Sequence, residues 1–108
     1  MENKDLAGAA FTADELVGYQ EGSVVSRVVL RQKAGSATAF AFDRGEELSE
    51  HTVSHDALIH VIDGEAEITV SGVSHRVGAG EMIILPGGEP HAVMATERFK
   101  MLLVMLKA

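Results

Sequence analysis

Residues 80–91 read GEMIILPGGEPH. Met82-Ile83-Ile84-Leu85 has the length and composition of a short buried strand, and it runs directly into Pro86. Proline carries no N–H and cannot donate to a sheet ladder, so the strand ends there. Gly87 and Gly88 reach backbone dihedrals closed to other residues, which lets the chain reverse sharply. Pro90 then biases Glu89 toward an extended conformation, so His91 stands at the first position of the next strand. The turn chemistry aims a histidine.

Outward from this turn the chain reads as β throughout. "SVVSRVVLRQ" is rich in β-branched residues, and in "SATAFAFD" Ala39 and Ala41 alternate with Phe40 and Phe42. "ALIHVI" ends at Asp63-Gly64, a hairpin signal, and "EAEITV" then alternates until Ser71-Gly72 turns it into "VSHRV". "EMIIL", "HAVMA" and "FKMLLVML" follow. About eight short strands joined by glycine-rich turns predict an all-β sandwich or barrel. Residues 1–22 form an N-terminal segment in which "TADELV" can make one helical turn capped by Thr12, and residues 23–108 form the single β domain.

Composition excludes several classes of function. With 16 acidic and 9 basic residues the net charge is -7 and there is no basic cluster, so no nucleic-acid partner is expected. The chain has no cysteine, which removes disulfides, iron–sulfur clusters and thiolate zinc sites and fits a reducing cytoplasm. The start, "MENKDLAGAAF", lacks the apolar region of a signal peptide. The longest apolar run, Met101 to Leu106, is far short of the ~20 residues of a membrane helix, so no membrane partner is expected.

The five histidines are the candidates for ligand or proton chemistry near neutral pH: His51, His55, His60, His75 and His91. On one extended strand His51 and His55 would stand about 13 Å apart, too far to share one metal. His75 alternates with Val73 and Val77 and reads as a structural residue of a small hairpin. His60 alternates with Leu58 and Ile62 and reads as a hydrogen-bonded core or interface residue. Only His91 stands in surroundings that specify its position.

At this point the sequence resembles the cupins. Their second motif is a glycine, five residues, a proline, one residue, a glycine, two residues and a histidine. Gly80, Pro86, Gly88 and His91 match it, although Ala95 stands where an asparagine often follows. In their first motif Gly45, His51 and Gly64 match, but Val53 holds the second histidine position and Ala57 the glutamate position. The resemblance covers roughly residues 23–106. It implies a double-stranded β-helix, or jelly-roll, barrel, commonly dimeric, with a metal site of which His51 and His91 remain. His60 or His55 would complete that site, His60 only if a β-bulge near Asp56 reversed the strand's parity. The metal implied is a divalent transition ion: zinc, iron, nickel, manganese or copper.

The loss of two polar ligands predicts an apolar lumen lined by Phe40 or Phe42, Val53, Ala57, Ile59, Val61, and Met82 or Ile84, fit for a small-molecule ligand. Three functions of different classes follow. One is a metal-assisted oxygenation, isomerisation or lyase step. The second is a metal-free isomerase-like reaction with His51 or His91 as general base. The third is a binding module without turnover, and the absence of an attached DNA-binding domain argues against a transcription regulator. "ALIHVI" and "MLLVML" are apolar on both faces, so a second cover is needed: a partner subunit in a homodimer, or the N-terminal segment.

Overall fold

The structure is a computed structural model that describes residues 6–107. The first five residues of the N-terminal segment and Ala108 lie outside the described residues. Eight strands are present among the described residues: β1 (Val24–Gln32), β2 (Gly35–Phe42), β3 (Glu47–His51), β4 (Ala57–Val70), β5 (Val73–Gly78), β6 (Met82–Leu85), β7 (His91–Met94) and β8 (Phe99–Leu106). A short 3-10 turn, Ala13–Glu15, precedes them. Thr12 stands at its N-cap position, but its side chain makes no capping hydrogen bond.

All pairings are antiparallel. One sheet runs β1-β2-β8-β4-β6 and the other β3-β7-β4-β5. The two share β4, which is a single strand of 14 residues. The expected hairpin at Asp63-Gly64 is therefore corrected. The chain does not reverse there; it bulges between Val61 and Asp63 and passes from one sheet into the other. Gly64 takes a left-handed φ of +73°, and a Cβ at that position would overlap the Arg98 carbonyl oxygen. The glycine serves close approach between β4 and β8 at this corner rather than a tight turn.

The bulge also reverses which residues point inward. Ala57, Ile59 and Val61 are buried before it, Ala66 and Ile68 after it. These residues, with Phe42, Val77, Leu85, Val93, Phe99 and Met101, make the barrel core. Phe42 and Phe99 stack inside it with ring centroids 4.5 Å apart. Each strand contributes alternate residues because side chains alternate across a pleat, which turns the sequence pattern into one packed interior.

The N-terminal segment covers part of the barrel's outside. Leu16 and Val17 pack on Val29, Ala39 and Ala41, with Leu102 at the margin. Lys100 is buried beneath the segment and donates from Nζ to the Asp14 carbonyl (2.7 Å) and to Asp14 Oδ1 (3.0 Å). The Tyr19 hydroxyl donates to Asp63 Oδ2, and the Lys100 ammonium lies 5.1 Å from the Tyr19 ring centroid. This cover ends at β8. Cross-strand register then places Ile84, Leu58, Val104, Ala37 and Leu30 side by side across five strands on the uncovered outer face. Met82, His60 and Leu102 form the adjacent row.

Candidate functional site

His51 ends β3 and His91 begins β7, and the two are cross-strand partners. Strand alternation alone would send Leu48 and His51 to opposite faces. A register shift between them turns both inward, and both line the same cavity. The two Nε2 atoms stand 3.2 Å apart, and the rings meet edge-on with centroids separated by 4.4 Å.

Hydrogen bonding sets the His51 tautomer, and burial opposes charge on His91. His51 Nδ1 lies 2.9 Å from the Ser49 carbonyl oxygen, an acceptor, so Nδ1 carries the hydrogen and Nε2 presents its lone pair. His91 is only 5% exposed. Burial, followed by the nearby His51, pushes its pKa below the usual histidine value, while the Glu89 backbone pulls weakly the other way. The neutral His91 donates Nε2–H to His51 Nε2, and its buried Nδ1 is left without a partner. In this tautomer the pair shares one proton; with its hydrogen on Nδ1 instead, His91 turns a second Nε2 lone pair toward that of His51.

The cavity between them measures about 40 Å³. That is room for a few waters at ~10–15 Å³ each, and far below the ~300–1,000 Å³ of a site enclosing a whole organic ligand. Val53, Ala57 and Ile59 line it as expected from the sequence. Phe42 and Val61 are fully buried in the core, and Phe40 packs against that core. Met82 and Ile84 are a correction. They are 58% and 64% exposed on the outer face, and Leu85 of the same strand lines the cavity instead. Every residue of β6 is apolar, so its parity could not be read from the pattern. Leu48, Val93, Met101, Leu103 and Met105 also line the cavity. For Met101, Leu103 and Met105 the signal is the alternation of β8 against Ala57 and Ile59, legible only once the pairing of β4 with β8 is known; Leu48 and Val93 join through the pairing of β3 with β7.

The two histidines offered as completing ligands stand elsewhere. His60 keeps the parity opposite to Ile59 and faces outward between Met82 and Leu102. The bulge lies beyond it, not near Asp56. His55 sits in a surface hollow with Ser54, Asp56, Leu106 and Lys107. His75, on β5, pairs with Ile68 and is exposed. Among the described residues no group of three histidines or carboxylates stands close enough to hold one ion.

The loops behind the pair are tied together. The Gly88 N–H donates to the Val53 carbonyl (2.7 Å) and the Gly87 N–H to Asp56 Oδ1 (2.8 Å). A Cβ on Gly87 would stand 2.6 Å from the Ser54 carbonyl oxygen, so this residue must be glycine for the two loops to meet. Gly88 instead supplies a left-handed φ of +86°.

The Cupin domain model matches residues 39–105, from β2 through β8. The chain is a cupin. Solved structures agree along almost its whole length. This cupin is 33% identical to a conserved protein of unknown function, SPY1581, from Streptococcus pyogenes, with TM-score 0.89 over 94% of this chain and 89% of that one. It is 43% identical to a cupin 2 conserved barrel domain protein from Leptotrichia buccalis, with TM-score 0.87 over 90% of this chain. It spans only 47% of that Leptotrichia protein. A cupin superfamily protein from Desulfitobacterium hafniense is 28% identical, with TM-score 0.84 over 89% of this chain and 87% of that one. No curated protein matches this cupin.

Proposed function

We propose that this cupin binds a transition-metal ion at His51 Nε2 and His91 Nε2 and presents it to a small molecule at the barrel mouth. The 3.2 Å separation of the two nitrogens is the observation that carries the reading. Two imidazoles at ~2.0–2.1 Å from one tetrahedral ion stand about 3.3 Å apart, so the pair fits as two arms of a chelate. The Ser49 carbonyl on His51 Nδ1 is the kind of outer partner that orients a metal-binding imidazole. His51 is exposed and gives access to the pair, while the small cavity admits only one end of a ligand.

The ion would supply Lewis acidity to an oxygen-bearing substrate, which suits the oxygenation, isomerisation and lyase classes expected from the sequence. His51 and His91 hold and orient, and the apolar wall excludes bulk water. We place the protein in the cytoplasm, as its lack of cysteine suggests. We further infer a homodimer through the uncovered outer face. Its two rows carry no carboxylate, lysine or arginine up to the edge of the N-terminal segment, in a chain whose net charge is -7, and charge depletion is the mark of an interface core.

The test is elemental analysis of protein purified without tag or chelator, beside a His51→Ala/His91→Ala double variant. Stoichiometric metal in the wild type alone supports the reading; a wild type that neither contains nor takes up metal overturns it. The second reading, a metal-free pair that relays a proton, is favoured by the neutral His91 donating to His51. It requires small-molecule binding that survives exhaustive chelation.

A further inference from the structure

Met101 and Met105 line the same cavity as His51 and His91. They occupy alternate positions of β8, on either side of Leu103, and therefore face the same way. Register sets Met105 directly opposite Ala57 and Met101 opposite Val61. Ala57 is the position at which the resemblance leads one to expect a carboxylate. Its side chain is a single methyl, and the long unbranched arm beside it belongs to Met105. Methionine has three rotatable bonds and adapts to irregular space, so its sulfur can turn into a cavity that its side chain already lines.

The charge of the donor set narrows the ion further. Imidazole nitrogen and thioether sulfur are both neutral, and no carboxylate lines the cavity. A divalent ion there would keep its full charge against an apolar wall, and the cost of desolvating an ion grows with the square of its charge. A monovalent ion incurs about a quarter of that cost by the same scaling. Thioether ligands select soft ions, cuprous copper above all, and imidazole suits copper as well.

From these observations we propose that the His51–His91 pair, with Met105 as a thioether donor, is a site for Cu(I); Met101, four residues and about 13 Å away along β8, is too far from Met105 to share the ion. The inference rests on the pair being a metal chelate and replaces the expected divalent ion with a soft monovalent one.

The experiment titrates the intact protein anaerobically with Cu(I) against a chromogenic Cu(I) chelator, and separately with Zn(II) against a zinc indicator. Wild type is expected to take one Cu(I) per chain and to prefer it to Zn(II). Met105→Leu should weaken Cu(I) binding at least tenfold and Met101→Leu less than twofold, with Zn(II) affinity changed less than twofold in both. Leucine conserves volume, and thermal unfolding confirms that each variant is folded. X-ray absorption of the Cu(I)-loaded wild type should show sulfur bound to copper, a result independent of any variant. If His51→Ala binds Cu(I) as well as wild type, the chelate itself is wrong. If His51→Ala loses Cu(I) while both leucine variants keep wild-type affinity and no sulfur is bound, the chelate stands and the thioether inference is overturned. A wild type that binds no Cu(I), or that prefers Zn(II), also overturns it.

Discussion

His51 and His91, 40 residues apart in the chain, are cross-strand neighbours whose Nε2 atoms meet at 3.2 Å, and only one proton fits between them. Protonating His91 would add a hydrogen at its buried, unpartnered Nδ1 and place a charge in an apolar setting. Its pKa is accordingly lowered in the folded chain, with burial the larger cause and His51 the next. The unfolded chain binds protons at the ordinary value of 6.5 and so gains them first as the pH falls. The His91 contribution to stability should be complete above that value, diminish as the pH drops through it, and level off below the folded-state pKa. Chemical denaturation at pH 8, 7, 6 and 5 checks this, and a folded His91→Leu variant should show a flatter profile.

Gly64 is the residue whose substitution should cost the fold most for the smallest change. Alanine there meets both a left-handed φ and the Arg98 backbone, and neither can move without separating β4 from β8. Gly64→Ala should destabilise by about 3 kcal/mol or more, combining backbone strain with overpacking. Gly72 has a similar φ of +82° but open space around it. Gly72→Ala should therefore cost only ~1–2 kcal/mol. Urea midpoints of the two variants measure the difference.

Lys100 is the polar pin that holds the N-terminal segment across β8. Lys100→Met keeps most of the stem and removes both bonds to Asp14, which stays partly exposed and can be hydrated. The expected cost is about 1–2 kcal/mol. Proteolysis should speed up within residues 6–22 before the barrel is cut, as seen by mass spectrometry of early fragments.

The uncovered outer face makes a separate prediction about assembly. Ile84 stands at its β6 edge and is 64% exposed in the single chain. Ile84→Glu should leave a lone chain's stability within about 0.5 kcal/mol while weakening self-association strongly. Sedimentation should give a dimer for wild type at micromolar concentration and a monomer for the variant. A wild-type monomer would refute the homodimer.

The turn at Pro86-Gly87-Gly88 named the architecture because its chemistry is local: a missing donor, a close approach and a left-handed residue each leave a mark in the sequence. Asp63-Gly64 misled for the same reason. Its glycine does adopt a left-handed φ, but the demand comes from the Arg98 backbone, 34 residues on at the entry to β8, and the chain runs through instead of turning. The site was half legible. His51 and His91 carried the motif spacing, whereas their convergence depends on a register shift in β3 that no residue pattern announces. Met105 escaped notice because its place beside Ala57 exists only through the long-range pairing of β8 with β4. Ile84 and Met82 were turned the wrong way because an unbroken apolar run has no parity to read.

The contact of Gly87 with the Ser54 carbonyl has a consequence for the tuning of this site. One histidine follows the loop of Gly87, and the other precedes the loop of Ser54, so the two imidazoles are the jaws of one clamp whose pivot lies behind them. A side chain larger than hydrogen at the pivot would spread the jaws without touching either imidazole. The separation of the two imidazoles is therefore set at a residue that touches neither of them.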